Sequence, residues 1–265
     1  MRPLATALLL LLSAWLACAA ERPRGAAPEP VAGDVPFEVS GDAMPGDASG
    51  DVVEVLGNVR VKRGNVTLQA DRLRYERKAD SALATGEVLV GDGTFILTCR
   101  RLAYYVGRQQ AIAWDDPLVT RSSSAGPNTT ELVEMRATQL TLYADEQRIE
   151  GLDRVELTRY LVRDGRRELD VRVRCDEAEL DQVSRSCLFR GQVEIESPKM
   201  GARARRAFLE EPLDRLTLVG EARAWSIGAG GEQTDQVRGA KILHFLRSQR
   251  TLVFGNVHGK LRLEK

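Results

Sequence analysis

A ten-residue pattern that recurs along the chain constrains its fold more than any other feature. The stretches VTLQADRLRY and FILTCRRLAY both carry apolar residues at the first, third, eighth and tenth positions, with a small residue at the fifth. Copies begin at Val66, Phe95, Val133, Val171 and Met200, with a weaker one at Asp235, so that successive starts are 29, 38, 38, 29 and 35 residues apart. A constant pattern at variable spacing indicates repeated structural units joined by turns of different length.

Each copy predicts a β-strand with one buried face. Positions one, three and five alternate with polar residues, which is the period of a strand. Positions eight and ten are shifted by one residue, and a β-bulge at the fifth and sixth positions, Ala70 and Asp71 in the first copy, would return the apolar side chains to one face. A helix is the alternative, because positions one, five and eight also suit a period of about 3.6. The many Val, Thr, Ile, Leu and Tyr residues, and the polar clusters after the copies, favour strands.

A second signature lies between the copies. A short apolar run, a glycine and renewed alternation occur around Gly57, Gly86, Gly191, Gly220 and Gly255, and in a looser form around Gly151. Each unit is therefore predicted to contain a strand, a turn and a returning strand whose glycine eases a bend. Since no segment after the N-terminal region carries a capped helical stripe, the chain is predicted to be all-β, with repetitive antiparallel strands.

The first 50 residues differ from the rest. Residues 1–20 combine Arg2, the apolar run LATALLLLLSAWLA and the small residues ACAA, which predicts an export signal cleaved after Ala19 or Ala20. Lipidation at Cys18 and a retained membrane anchor are the alternatives. Residues 21–50 are rich in Pro, Gly, Ala and Asp without a sustained period, and they predict a flexible leader. The repeated units are expected to occupy residues 51–265.

Composition and motifs argue against several classes of function. The 38 basic and 38 acidic residues cancel, which argues against nucleic acid as a partner. The two histidines, His244 and His258, lack metal-ligand spacing, and we expect both at the surface or at an edge. Ser122, Ser123 and Ser124 lie in TRSSSAGPNTT, a predicted loop without a nucleophile motif. The sequence therefore predicts no catalytic residue, no metal ligand and no cofactor, and the chain is predicted not to be an enzyme.

Three cysteines remain once the predicted signal is removed, namely Cys99, Cys175 and Cys187. A turn near residues 181–184 would pair Cys187 with about Ala178. Cys175 would then lie well off the position opposite Cys187, which argues against a disulfide between them. We predict buried free thiols for two of the three.

Several of these motifs resemble a known family. The sequences GNVRV and GNVHG, the ADRLRY strand and the ATGEV return are similar to those of the OstA-like family of lipopolysaccharide-transport proteins, which includes LptA, LptC and the periplasmic domain of LptD. The resemblance covers about residues 51–265. It implies an open, folded-over β-jelly roll whose V-shaped groove takes up lipid acyl chains. It also implies a periplasmic protein of outer membrane biogenesis that binds the lipid A part of lipopolysaccharide and carries it between the inner and outer membranes.

The resemblance implies that the inward apolar positions are the lipid-binding residues. They are Val59, Val61, Val66, Leu68, Leu73, Tyr75, Val88, Val90, Phe95, Leu97, Leu102, Tyr104, Val133, Met135, Leu140, Leu142, Val171 and Val173, followed by Leu180, Met200, Leu209, Val237 and Ile242. A closed β-core would need the same residues, and this is the alternative at every position. The small residue at the fifth position of each copy, from Ala70 to Gly239, would leave a strip of low bulk along the interior.

The two ends of the repeat array predict contacts with other chains. Strands near VVEVLGNVRV and GNVHGKLRLEK are expected at the edges of the sheet, where backbone groups lack partners. The resemblance implies strand addition to LptC-like and LptD-like proteins, or head-to-tail self-association. Protection of these edges by Arg60, Lys62, Lys260 and Arg262 is the alternative. The alternative function is a non-enzymatic β-repeat scaffold of the cell envelope, such as a right-handed β-helix.

Overall fold

The computed structural model describes residues 38–45, 50–93, 95–126, 128–228, 231–245, 248 and 250–260. The predicted export signal, and with it Cys18, lies outside the described residues. The described part consists almost entirely of antiparallel β-strands, so the predicted all-β fold is confirmed. None of its helices is long and apolar enough to span a membrane.

The strands follow one another with short turns. In chain order they are β1 (Glu38–Ser40), β2 (Val52–Arg63), β3 (Val66–Glu76), β4 (Ser81–Gly91), β5 (Phe95–Tyr105), β6 (Gln110–Trp114), β7 (Leu118–Gly126), β8 (Thr129–Arg136), β9 (Gln139–Tyr143), β10 (Arg148–Arg163), β11 (Arg166–Asp181), β12 (Ser186–Glu196), β13 (Met200–Glu210), β14 (Arg215–Ile227), β15 (Gln233–Phe245), β16 (Arg250–Phe254) and β17 (His258–Lys260). Short 3-10 helices at Val106–Arg108 and Glu211–Leu213 follow β5 and β13.

The chain divides into two compact units, whereas the sequence predicted one body of six repeats. The first unit comprises residues up to Val119 and Thr141–Gln147, and the second comprises Thr120–Leu140 and the residues from Arg148 onward. The division passes through the third copy of the pattern, and the extent of the repeat array over residues 51–265 stays a prediction. That copy is split between β8 and β9, which are interrupted at Ala137 and Thr138.

Within each unit, strands that are consecutive in the chain pair antiparallel. In the first unit this holds from β1 to β6. In the second unit β8 pairs with β10, consecutive strands pair from β10 to β16, and β17 also pairs with β15. A right-handed β-helix stacks parallel strands, so that alternative architecture is wrong.

The predicted leader is too long by at least one strand. Glu38–Ser40 pairs with β2, with Glu38 opposite Lys62 and Ser40 opposite Arg60. Asp42 N also donates a hydrogen bond to Leu56 O at 2.9 Å. The predicted boundary at residue 50 is therefore wrong. A strand of three residues is too short to display an alternating pattern in the sequence, which is why periodicity missed it.

A β-bulge recurs at the same position of almost every repeat. Two consecutive residues on one strand, the first of them with a positive φ, face a single residue of the next strand. Such pairs are Gly57–Asn58, Gly86–Glu87, Asp153–Arg154, Gly191–Gln192 and Gly220–Glu221. The register shift falls where the ten-residue pattern predicted it. The extra residue, however, lies on the returning, glycine-bearing strand and not on the strand that carries the pattern.

Close packing, and not conformation alone, explains the glycine at Gly86. This residue has a φ of +100°, and a Cβ added to it would collide with the carboxylate of Asp71. That carboxylate accepts a hydrogen bond from the backbone N of Glu87 at 3.3 Å. The bulge of β10 has no glycine, and Thr138 takes the place of the aspartate. Gly151, grouped with the bulge glycines by sequence, lies outside this bulge, and its Cβ would come within 2.6 Å of Met135 Cε.

Replacing Gly86 by alanine is expected to destabilise the first unit by about 1–3 kcal/mol, because a left-handed alanine is strained and its methyl group displaces Asp71. Urea denaturation followed by circular dichroism measures the loss. Gly107→Ala is the matched control, because the nearest atom to its added Cβ is 3.8 Å away and its φ is ordinary. Equal midpoints for the two variants would contradict the role assigned to the bulge.

Candidate functional site

The apolar residues of the first unit form continuous rows on one face of strands β2 to β6. Val61, Leu68, Val90 and Leu97 are directly opposite one another on successive strands. All four are buried, and Leu97 has no exposed surface. Opposite residues on adjacent strands lie close enough for their side chains to pack, so each row is a continuous strip of branched aliphatic groups.

On the other side of the bulge, large and small side chains alternate across the strands. One row reads Leu73, Ala84, Leu102 and Ala113, and the next reads Tyr75, Ala82, Tyr104 and Ala111. All of these residues are buried. The alanines come from β4 and β6, and sequence reasoning missed them because it followed large apolar residues. Alternation of volume lets neighbouring layers interdigitate without voids.

The inward face of the second unit follows the same plan but changes towards the C-terminus. A row that begins with Leu157, Val173 and Ile195 continues through Ala202 and Ala224. The neighbouring row ends similarly, with Ala222 opposite Gly239. Strands β13 to β15 therefore place small residues next to one another on parts of the inward face, although Leu218, Val237 and Ile242 on the same strands are large.

The structure places the predicted lipid-binding residues on this inward face. Every residue of the predicted set from Val59 to Val173 is buried except Val133 and Val171, which are half-buried. Of the later positions, Ile242 is buried and Leu180, Met200, Leu209 and Val237 are half-buried. Burial is what both a lipid-binding face and a closed core require, so lipid contact remains a prediction.

The predicted continuous strip of small residues is wrong. Ala70 and Cys99 lie beside Val59 and Val88, which occupy the intervening positions on the glycine-bearing strands. Val155 and Val193 interrupt the strip in the same way in the second unit. The sequence pattern followed only every second strand, and the valines of the returning strands fill the space between them. Small residues become contiguous only across β13 to β15.

The described cysteines are all free. Cys99 and Cys175 are buried and Cys187 is half-buried. Cys187 is opposite Leu180 and not Ala178, because the turn that precedes it is shifted by one residue. Burial raises the pKa of the Cys99 thiol to about 11 and the pKa values of Cys175 and Cys187 to about 12.

These thiols are expected to react slowly with a thiol reagent at pH 8, because raising a thiol pKa by two units lowers its thiolate fraction roughly 100-fold. The measurement compares the rates of Ellman's reaction in native and urea-unfolded protein, in a Cys18→Ser background that leaves the three described thiols. Fast labelling of Cys187 in the native protein would show that its environment is more open than the structure indicates.

His244 lies on the inward face of β15, which corrects its predicted placement at the surface. It is opposite Leu216 on β14 and Thr251 on β16. Its Nδ1 lies 3.0 Å from Thr251 Oγ1, while its buried Nε2 has no hydrogen-bond partner among the described residues. Burial lowers the pKa of His244 below its ordinary value of 6.5, and the charge of Asp214 opposes this effect only in part. His258 is exposed, as predicted.

His244 is expected to make stability depend on pH. Because its folded pKa is below 6.5, the folded state favours the neutral ring, and this contribution is complete above pH 6.5 and lost as the pH falls through the folded pKa. Urea midpoints at pH 7.5 and pH 5 should therefore differ less for His244→Gln than for the wild-type protein. His258→Gln, which changes the exposed histidine, serves as the control and should retain the wild-type difference.

Other groups singled out in the sequence have structural environments. Ser122, Ser123 and Ser124 lie on β7, so the predicted loop is a strand. Within the described ranges, no cluster of His, Cys, Asp and Glu residues could hold a metal ion. Among the surface arginines, Arg203 donates from Nε to Glu194 Oε1 at 2.9 Å, and Arg167 pairs with Glu134 at 3.0 Å.

Two surface depressions lie on the outward faces of the strands. The one in the first unit has a volume of about 580 Å³ and includes Leu83, Arg101 and Trp114, with the Arg101 guanidinium 5.1 Å from the Trp114 ring. The one in the second unit, about 330 Å³, includes Leu188 and Phe208. Most of both linings consists of outward residues, but Ala82 in the first and Leu209 in the second belong to the inward rows.

Comparison with known proteins identifies the family. A family model described as LptA/(LptD N-terminal domain) LPS transport protein matches residues 38–250, which is most of the chain and begins at the first residue of β1. The chain belongs to this LptA/LptD N-terminal family of lipopolysaccharide-transport proteins. No curated protein matches it by sequence.

One of the matching solved structures is similar over part of the chain. It is the crystal structure of LptH, the LptA homologous periplasmic component of the conserved lipopolysaccharide transport device from Pseudomonas aeruginosa. The match has 11% sequence identity and a TM-score of 0.25, and it covers 56% of this chain and 76% of LptH. A TM-score this low does not show a shared fold. Membership of the family is shown by the match of residues 38–250 to the family model.

Proposed function

We propose that this member of the family is a periplasmic lipopolysaccharide-binding protein that carries the acyl chains of lipid A along its inward apolar face, between the inner and outer membranes and without enzymatic activity. In this proposal the face forms an open, V-shaped groove when a lipid is bound. The supporting observation is the run of inward apolar rows that continues across successive strands of each unit. Export by residues 1–20 is part of the proposal, and lipidation at Cys18 is the alternative form of attachment.

The chemistry of the face suits an acyl chain better than a sugar. Burying a methylene group contributes roughly 0.8 kcal/mol, so a dodecyl chain gains about 8–10 kcal/mol on leaving water without any hydrogen bond. Aliphatic contact is non-directional. A chain held in this way can move along the rows or pass to a like surface without breaking a specific interaction, which is what transport requires.

Entry of a lipid requires the inward face to exchange one apolar contact for another. The inward residues are buried by the protein itself, so a guest has to replace protein contacts with lipid contacts. Because the apolar area kept from water changes little in this exchange, its hydrophobic cost is small. The small residues Ala202, Ala222 and Gly239 leave the most room for a guest on β13 to β15.

Like-folded proteins would join at the ends of the strand array. LptC-like and LptD-like proteins are the proposed partners, and head-to-tail self-association uses the same contacts. At the N-terminal end, residues 38–45 already pair with β2, so strand addition there has to displace them or extend beyond them. At the C-terminal end, the short strands β16 and β17 pair with β15.

The proposal predicts lipid contact at inward positions only. A photocrosslinking amino acid at Leu68, which is buried, should form an adduct with lipopolysaccharide in intact cells, detected by immunoblotting. The same group at the neighbouring Gln69, which is exposed on the opposite face of β3, is the matched control and should give none.

The two positions share a strand and differ in direction, so the substitution at the buried Leu68 is the one that can disturb folding. Circular dichroism of each purified variant checks this. Absence of an adduct at Leu68 in a folded protein, or equal adducts at both positions, would contradict an inward lipid site and favour a closed core.

A further inference from the structure

The outward face of the second unit carries one row of charged residues that crosses the strands. Successive members are directly opposite one another: Arg136, Glu156, Arg174, Glu194, Arg203, Arg223, Arg238 and His258. The first five alternate in sign. Arg174 Nε donates to Glu156 Oε2 at 2.9 Å, and this hydrogen bond raises the pKa of Arg174. Opposite charges at facing positions stabilise the pairing of strands.

The alternation stops at β13. Arg203, Arg223, Arg238 and His258 follow one another without an intervening carboxylate. All are exposed, and none of the described residues forms an ion pair with Arg223 or Arg238. Like charges at facing positions oppose strand pairing, so this arrangement weakens the fold where a Glu would have strengthened it.

Further cations surround this part of the row. Arg206, Lys241 and Lys260 are exposed on the same outward face of β13, β15 and β17. The nearby carboxylate of Glu221 pairs with Arg205, and that of Glu194 pairs with Arg203. We name the set Arg206, Arg223, Arg238, Lys241, His258 and Lys260 the basic face. It lies on a chain whose formal net charge is zero, so the positive charge is local.

Exposed apolar side chains accompany the basic face. Phe254 is directly opposite Lys241 and is 47% exposed, and Val257, next to His258, is 55% exposed. The Trp225 ring lies over Gly201, with the Arg203 guanidinium 5.9 Å from its centre. Exposed apolar groups contribute nothing to a purely electrostatic contact. A surface that combines cations with apolar side chains is suited to the boundary between lipid headgroups and acyl chains.

We propose that the basic face is a docking surface for an anionic lipid bilayer. The phosphate groups of acidic phospholipids contact Arg223, Arg238 and Lys241, while Phe254 and Val257 enter the headgroup region. An acidic protein surface would satisfy the cations but leaves the exposed Phe254 and Val257 unexplained. The surface lies opposite the inward apolar face, so bilayer docking does not depend on the proposed lipid carriage.

Vesicle cosedimentation of the full chain tests this docking. The protein should bind vesicles of phosphatidylcholine mixed with phosphatidylglycerol, and high salt should release it because exposed charges are then screened. The double variant Arg223→Gln/Arg238→Gln should partition roughly 30-fold more weakly, since each cation near an anionic surface contributes about a fivefold factor. Phe254→Ser should also weaken binding, at every salt concentration.

Controls separate charge, folding and the apolar N-terminus. Arg60→Gln/Arg100→Gln removes the same charge from exposed positions of the first unit and should bind as the wild type does. Binding to phosphatidylcholine vesicles alone measures any insertion of residues 1–20 and is subtracted. The Arg223→Gln/Arg238→Gln variant should be at least as stable to urea as the wild type, because a repulsion is lost.

Two results would overturn the proposal. The first is equal binding of the wild type and the Arg223→Gln/Arg238→Gln variant to mixed vesicles. The second is binding to poly-glutamate without binding to mixed vesicles, which would assign the basic face to an acidic protein partner.

Discussion

The recurring bulge is the constraint on which the rest of the structure depends. A strand presents alternate residues to one face, and the ten-residue pattern breaks that alternation between its fifth and eighth positions. The break is tolerated because the neighbouring strand places two residues opposite one, the first with a positive φ, as Gly86 and Glu87 do on β4. The apolar rows on both sides of the bulge therefore remain on the same face, and the acyl-chain binding proposed for this face requires that continuity.

The two faces of the strands follow different rules of complementarity. On the inward face of the first unit neighbours alternate in volume, as in Leu73, Ala84 and Leu102. On the outward face of the second unit they alternate in charge, from Arg136 to Arg203. Apolar packing depends on filled space, whereas solvent-exposed pairs contribute little unless they form networks. The inward rows are thus the main source of stability, and the alternating charges of the outward row help to fix the register of the paired strands.

Both rules are relaxed on the same strands. From β13 to β15 the inward face carries the small residues Ala202, Ala222 and Gly239 beside the larger Leu218 and Ile242. The outward face of these strands carries Arg223 and Arg238 side by side. Each departure reduces the stability of the strand pairing, and proteins tolerate such local costs where another function uses the residues. The C-terminal strands of the second unit are therefore where lipid entry on one face and bilayer contact on the other are proposed together.

The sequence by itself determined the strands, the direction of their apolar faces and the position of each register shift. These depend on local alternation and on residue types such as the glycine of each returning strand. Only the tertiary structure decided which strand carries the extra residue, since a bulge is a property of two paired strands. It also decided that valines interrupt the strip of small residues and that His244 is buried, because both depend on neighbours distant in sequence. The division into two units and the row of like charges from Arg203 to His258 have the same origin: residues such as Arg203 and Arg223, 20 positions apart, become neighbours only when the strands pair.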